Sequence, residues 1–252
     1  MKARERRKDI LELLLQRGTV LVEELVNRHE VSRMTVHRDL DELVEEGWAA
    51  KIRGGVTVLS ATQFESDFSF RQHVNQAEKQ RIAAIAAAQV NDGEAIALGY
   101  GTTVARMLPE LRKTPDLTIA TASLPCIAAL SEDKNVELLA IGGKYIRKFD
   151  GFFGRIAEKG FGELMLDACF ISTSAMRMPN LYHQDERVVQ IKLVMLAAAR
   201  RKYLLMDHDK IGHSALYHMG RIDLFDTIIT DRALTPEDAE IAASHGVEVI
   251  VA

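Results

Sequence analysis

Apolar and polar positions follow two different rhythms along the chain. The N-terminal stretch has a helical rhythm. Ile10, Leu13 and Leu14 share one side of a predicted helix over Arg4–Gln16, with Gly18 at a C-cap-like position. Leu25 and Val26 face inward on a second helix, Val22–His29, and the turn Glu30-Val31 leads to a third. In that third helix Val36, Leu40 and Leu43 recur at spacings of four and three, behind Ser32 as N-cap. Gly47 is expected to close it. Two short strands, Ala49–Arg53 and Val56–Leu59, then flank Gly54-Gly55, which reads as a hairpin signal.

From Ala77 the rhythm alternates between helix and strand. Helices are predicted at Glu78–Gln89 (Ile82 and Ile85 inward), Val104–Leu111, Leu124–Leu130, Ile156–Leu166, Glu186–Arg200 and Pro236–His245. Strands are predicted at Ala95–Leu98, Leu117–Thr121, Val136–Ile141, Ala168–Ser172, Tyr203–Met206, Thr227–Thr230 and Val247–Val251. That alternation implies an α/β domain with a mainly parallel sheet covered on both faces. Between the two rhythms, residues 60–76 are polar and weakly periodic, with a strand or turn expected at Phe68–Arg71. The expected organisation is therefore a module of three helices and a hairpin at 1–59, a linker at 60–76 and a second domain at 77–252.

Composition bounds the possibilities. The 252 residues are 47% hydrophobic and 27% charged, as in globular proteins generally. No 18-residue apolar run predicts a membrane span, and the start MKARERRKDI lacks the apolar core of a secretion signal. Cys126 and Cys169 lie in apolar surroundings and read as buried free thiols of a cytoplasmic protein, too few for a metal site. No cofactor or metal is expected. The net charge of −4 does not favour nucleic acid, and residues 1–57 balance eleven Lys and Arg against eleven Asp and Glu. Placement matters more than the total. The acids Glu23, Glu24, Asp41, Glu42, Glu45 and Glu46 are expected to lie away from the front of the third helix.

That front carries Arg33, Thr35, His37 and Arg38, which can donate to phosphates or base edges. Three helices and a hairpin make a winged helix-turn-helix, with Lys51 and Arg53 on the wing. Binding to double-stranded DNA is expected to need pairing of subunits and to be salt-sensitive. Ser32, Arg33, Thr35, His37, Arg38 and Arg53 are the candidate DNA-binding residues.

The run RRKDILELLLQRGTVLVEELVNRHEVSRMTVHRDLDELVEEGWAAKIRGGV resembles the N-terminal module of the DeoR family of bacterial transcriptional regulators. The shared pattern is Ser32, Thr35, His37-Arg38-Asp39-Leu40, Leu43 and Gly54-Gly55, with His37 where the family more usually has Arg.

In a parallel α/β sheet, ligands sit outside the C-terminal ends of the strands. Three Gly- or hydroxyl-rich segments fall at such ends: Gly99–Thr103, Thr121 with Ser123, and Gly142-Gly143. Gly101, Thr102 and Thr103 offer backbone N–H groups and hydroxyls to a phosphate, although a Gly-Thr-Thr loop alone is equally a capped turn. Lys192 and Lys210 are candidates for phosphate charge, and Asp185, Glu186 and Asp209 for sugar hydroxyls. Together with Asp209-Lys210-Ile211-Gly212 and Ile229-Thr230-Asp231, these pieces extend the resemblance to nearly the whole chain. It implies an effector domain related to sugar-phosphate isomerases, a phosphorylated sugar or similar effector, and a homo-oligomer (dimer or tetramer). Gly99, Ala122 and Ile211 depart from the family's usual acid, Asn and Phe.

Three functions fit this reading. The first is a repressor of a carbohydrate operon, whose effector shifts the balance between DNA-competent and incompetent forms. The second is an isomerase or deaminase with an appended helical module. It lacks an acid in Ser172-Thr173-Ser174-Ala175-Met176 and at Gly99, so the proton-transfer base is missing. The third is a constitutive DNA-binding protein whose second domain only oligomerises.

Overall fold

The computed structural model describes residues 3–45, 48–58 and 68–252. The expected helix-closing Gly47, the strand end at Leu59 and most of the linker lie outside them. The chain forms two compact units, Met1–Val74 and Asn75–Ala252.

The first unit packs α1 (Ala3–Arg17), α2 (Val22–His29) and α3 (Arg33–Glu45) over a three-stranded antiparallel sheet. The sheet contains β1 (Thr19–Leu21), β2 (Ala49–Ile52) and β3 (Gly55–Val58) in the order β1-β3-β2. Ile10, Leu14, Leu25 and Val36 are fully buried at its centre, as the helical spacing requires. Gly18 has φ +73°, and its N–H bonds Leu14 O at 2.8 Å, ending α1 in a left-handed turn. Glu30 (φ 51°) plays the same part after α2.

Three expectations are corrected here. β1 was not foreseen. It is three residues long, and its sequence carries no alternation distinct from the helix that follows. The hairpin turn is Arg53-Gly54, because Ile52 pairs with Gly55. Gly55 belongs to β3, where a Cβ would lie 2.2 Å from Val20 O of β1. This glycine therefore permits a close strand approach, and Gly54 (φ +81°) supplies the turn. The segment Phe68–Arg71 is a short helix, α4, rather than a strand or turn.

The second unit is built on seven parallel strands in the order β15-β14-β12-β9-β4-β5-β6. These are β4 (Ala95–Leu98), β5 (Leu117–Thr121), β6 (Val136–Ala140), β9 (Leu166–Ile171), β12 (Ala199–Met206), β14 (Thr227–Thr230) and β15 (Glu248–Val251). Side chains alternate between two cores. Ile96, Phe170 and Leu205 face α5 (Gln76–Ala87), α6 (Thr102–Ala105), α7 (Leu108–Leu111) and α8 (Leu124–Leu130). Ala97, Cys169 and Leu204 face α9 (Arg155–Gly162), α10 (Glu186–Ala197) and α11 (Pro236–Ser244). Burial on both faces explains why these strands read as continuous apolar runs.

The helix expected over Val104–Leu111 is two short helices, with Pro109 in the first turn of the second. β12 starts four residues earlier than expected, at Ala199. Two additions to the sheet were not foreseen. They are the hairpin of β7 (Lys144–Ile146) with β8 (Gly151–Phe153), and the antiparallel sheet of β10 (Ala175–Arg177), β11 (Asn180–His183) and β13 (Tyr217–Arg221).

Strand order reverses direction between β4 and β9. The chain runs from β4 outward to β5 and β6, then returns to β9 and proceeds the other way to β12, β14 and β15. A crevice opens at such a point beyond the strand ends.

Candidate functional site

The first candidate surface is on α3. Ser32 Oγ accepts from Thr35 N at 3.2 Å, the N-cap bond expected of it, and lies 2.9 Å from Thr35 Oγ1. Arg33, His37 and Arg38 are exposed, and Arg53 is exposed at the tip of the wing. Met34 is also exposed, at 66%, and was missed because an apolar residue at a helix start reads as core. The acids are less remote than expected. Glu23 of α2 pairs with Arg33, and Lys51 Nζ lies 2.6 Å from Asp41. A short turn between α2 and α3 brings Glu23 within the reach of a long arginine. These exposed pairs are weak, and phosphate can compete with the carboxylates for the cations.

The back of α3 is held differently. Asp39 is buried and takes two hydrogen bonds from Arg6 of α1, from Nε at 2.5 Å and from an Nη at 3.2 Å. The Arg28 guanidinium makes a similar double contact with Asp9 and holds its carboxyl below the usual range.

The second candidate site lies at the crevice between β4 and β9. Ser172, just past β9, is its hub. Lys192 Nζ, buried on α10, donates to Ser172 O at 2.6 Å. Lys210 Nζ donates to Ser172 Oγ at 3.2 Å. Gly101 abuts Ser172, since a Cβ on it would lie 3.4 Å from Ser172 Cβ. Lys210 Nζ also lies 3.1 Å from Asp207 Oδ2 as an ion pair, too poorly aligned for a good hydrogen bond. Asp207 is 2% exposed. Burial pushes its carboxyl up, but Lys210 and Lys79 outweigh that and hold it below the usual range. Asn75 Nδ2 donates to Asp207 Oδ1 at 3.2 Å and to Asp209 Oδ2 at 2.7 Å. His208 Nδ1 lies 2.6 Å from Asp231 Oδ2, and the His208 N–H donates to Asp231 Oδ1 at 2.8 Å.

Of the sequence candidates, Gly101, Lys192 and Lys210 converge on Ser172, with Asp209 two residues from Asp207. Thr102 and Thr103 follow Gly101 and are buried, Thr103 Oγ1 without a hydrogen-bond partner among the described residues. Several of the others make contacts of their own. Thr121 donates to Leu98 O at 2.8 Å, and its hydroxyl oxygen accepts from Ser123 N. Ser123 pairs through its backbone with Gly151 of β8; both residues are buried, and Ser123 Oγ has no hydrogen-bond partner among the described residues. Gly142-Gly143 follow β6 at the sheet edge. A Cβ on Gly143 would lie 2.7 Å from Phe153 O, so this glycine serves hairpin packing. Asp185 caps α10 through Arg187 N and binds the Arg187 side chain, and Glu186 is exposed.

Sequence reasoning passed over Asn75, Lys79, Ser172 and Asp207. The signal available was Lys79 on the apolar face of an Ala-rich helix. A buried lysine at such a position needs an acidic partner. The absent acid at Gly99 has a steric counterpart, since a Cβ there would lie 2.9 Å from Ile171 Cγ2. Cys126 and Cys169 are buried and free, their thiols pushed up by burial to about 11 and about 12, so neither is a nucleophile at neutral pH. No helix among the described residues is long and apolar enough to cross a membrane.

Residues 6–62 match the DeoR-like helix-turn-helix domain, and residues 74–232 match the DeoR C terminal sensor domain. The chain is 32% identical over 242 residues to the HTH-type transcriptional regulator IolR of Bacillus subtilis (strain 168), covering 96% of each. It is 29% identical over 243 residues to the lactose phosphotransferase system repressor of Lactococcus lactis subsp. lactis, covering 95% of each. Among solved structures it is similar to ribose 5-phosphate isomerase A of Methanocaldococcus jannaschii, at 18% identity and a TM-score of 0.40. That match covers 54% of this chain and 55% of the other.

Proposed function

The chain belongs to the DeoR family of transcriptional regulators, and from that premise we propose that it represses a carbohydrate-metabolism operon under control of a phosphorylated sugar or similar metabolite. The observation that carries the effector reading is the convergence of Lys192 and Lys210 on Ser172 beside Gly101. Two ammonium groups, one hydroxyl and the adjoining Gly101–Thr103 backbone suit a phosphate dianion. Asp207 and Asp209 stand next to Lys210 and suit sugar hydroxyls, so charge and hydroxyl recognition are adjacent.

On the first unit, Arg33, Thr35, His37 and Arg38 supply base and phosphate contacts, and Arg53 a wing contact. Ser32 holds the start of α3. The printed name of one relative, a phosphotransferase-system repressor, supports repression as the direction of control. The protein works in the cytoplasm as a homo-oligomer.

The test is fluorescence anisotropy with DNA upstream of the protein's own gene against an unrelated duplex, followed by a screen of sugar phosphates for release. A preference abolished by one phosphate ester supports the proposal. Specific binding unaffected by any phosphorylated metabolite sinks the effector part of it.

A further inference from the structure

Asn75 stands where the second unit begins, at the end of the segment expected as a linker, in the left-handed conformation (φ 50°, ψ 47°). Its side chain does not cap α5. Instead, Nδ2 reaches two carboxylates of the turn after β12, Asp207 at 3.2 Å and Asp209 at 2.7 Å. One helical turn on, the Lys79 N–H bonds Asn75 O at 3.0 Å, and its buried ammonium acts on the same Asp207. The start of α5 is therefore tied to the turn that carries Lys210.

That turn has two competing attachments. Lys210 faces Asp207 on one side (3.1 Å) and Ser172 Oγ on the other (3.2 Å). An anion at Ser172 draws on the same ammonium that holds Asp207. It also brings negative charge toward a carboxylate that is nearly excluded from water, where Coulomb interactions are screened least. Asn75 is bonded to that turn at two points.

We propose that Asn75 is a positioning residue that registers occupancy of the anion site. Phosphate at Ser172 takes Lys210 from Asp207, slackens the Asn75 tether and loosens the first turn of α5, where the linker enters. The inference rests on the effector reading above and adds to it the element through which occupancy is felt.

The experiment is hydrogen–deuterium exchange on the full-length chain with and without inorganic phosphate. In the wild type, phosphate should slow exchange over Gly101–Ala105 and speed it several-fold over Gln76–Lys79. Asn75→Gly keeps the left-handed backbone while removing the amide. In it, Gln76–Lys79 should exchange fast in both conditions, with Gly101–Ala105 still protected. Lys210→Ala should abolish the phosphate response at Gln76–Lys79. Protection at Gly101–Ala105 with no acceleration at Gln76–Lys79 overturns the tether and leaves the anion site standing. No protection at Gly101–Ala105 removes the anion site, and the tether with it. The wild-type arms decide the matter even if a variant fails to fold.

Discussion

The Arg6 guanidinium of α1 grips the Asp39 carboxylate of α3 with two hydrogen bonds, and both side chains are buried. The bond to Asp39 raises the already high pKa of Arg6, so the guanidinium stays charged. It fixes the back of α3 while Arg38, its neighbour in sequence, is exposed on the front. Breaking one half of a buried pair leaves the other charge uncompensated, at a cost of about 3–5 kcal/mol. Asp39→Ala should therefore destabilise the first unit on that scale in denaturant unfolding. An unchanged midpoint would mean that the pair does not anchor α3.

Arg38→Ala should weaken binding to the operator without moving the thermal midpoint. If Arg38 contacts a phosphate, the slope of log affinity against log salt should fall by about one. Unchanged affinity and slope in a folded variant would remove α3 from its assigned role.

Lys210→Ala should shift the midpoint of the effector response to higher concentration by tenfold or more, on the basis of about 1.5–3 kcal/mol for a charged hydrogen bond. The DNA affinity of the effector-free variant sets the baseline for that midpoint. Titration of effector into the protein–DNA complex reads both, and an unmoved midpoint excludes Lys210 as a ligand.

Gly99→Asp restores the acid more usual in the family but collides with Ile171 Cγ2, 2.9 Å from the new Cβ. Overpacking of this kind costs about 1–3 kcal/mol. Ile171→Ala opens the space at its own cavity cost, so the double variant should be more stable than the sum of the two single changes predicts. Simple additivity in urea unfolding would show that the clash is relieved elsewhere.

Asp207 titrates below the usual carboxylate range because Lys210 and Lys79 outweigh its burial. A carboxyl depressed on folding contributes stability in full above its unfolded pKa of about 3.9 and loses it as pH falls through the lower folded value. The acid limb of the stability curve should therefore be shallower in Asp207→Asn below about pH 4. An identical limb would show that Asp207 is not coupled to its lysines in solution.

Periodicity located most elements, because a helix or strand buried on a known face must repeat its apolar residues at 3.6 or 2. It missed β1, β7, β8, β10, β11 and β13, which are three to five residues long and carry too little pattern to register. It also treated Gly54-Gly55 as one turn. The two differ only in what approaches them, since Gly55 lies against Val20 O.

The sequence by itself determined the order of elements, the cationic face of α3 and the parallel sheet, all of which follow from local pattern. Only the tertiary structure decided which residues meet. Lys192 and Lys210 converge on Ser172 because sheet order sets β9 beside β12 and β4. Thr121, Ser123 and Gly143 were expected in the same site; in the fold Thr121 bonds Leu98 O, Ser123 pairs through its backbone with Gly151, and Gly143 lies against Phe153 O. Asn75 and Asp207 are 132 residues apart and share no local pattern. Their meeting is fixed by how helices fold back over the strands, a relation that linear spacing does not record.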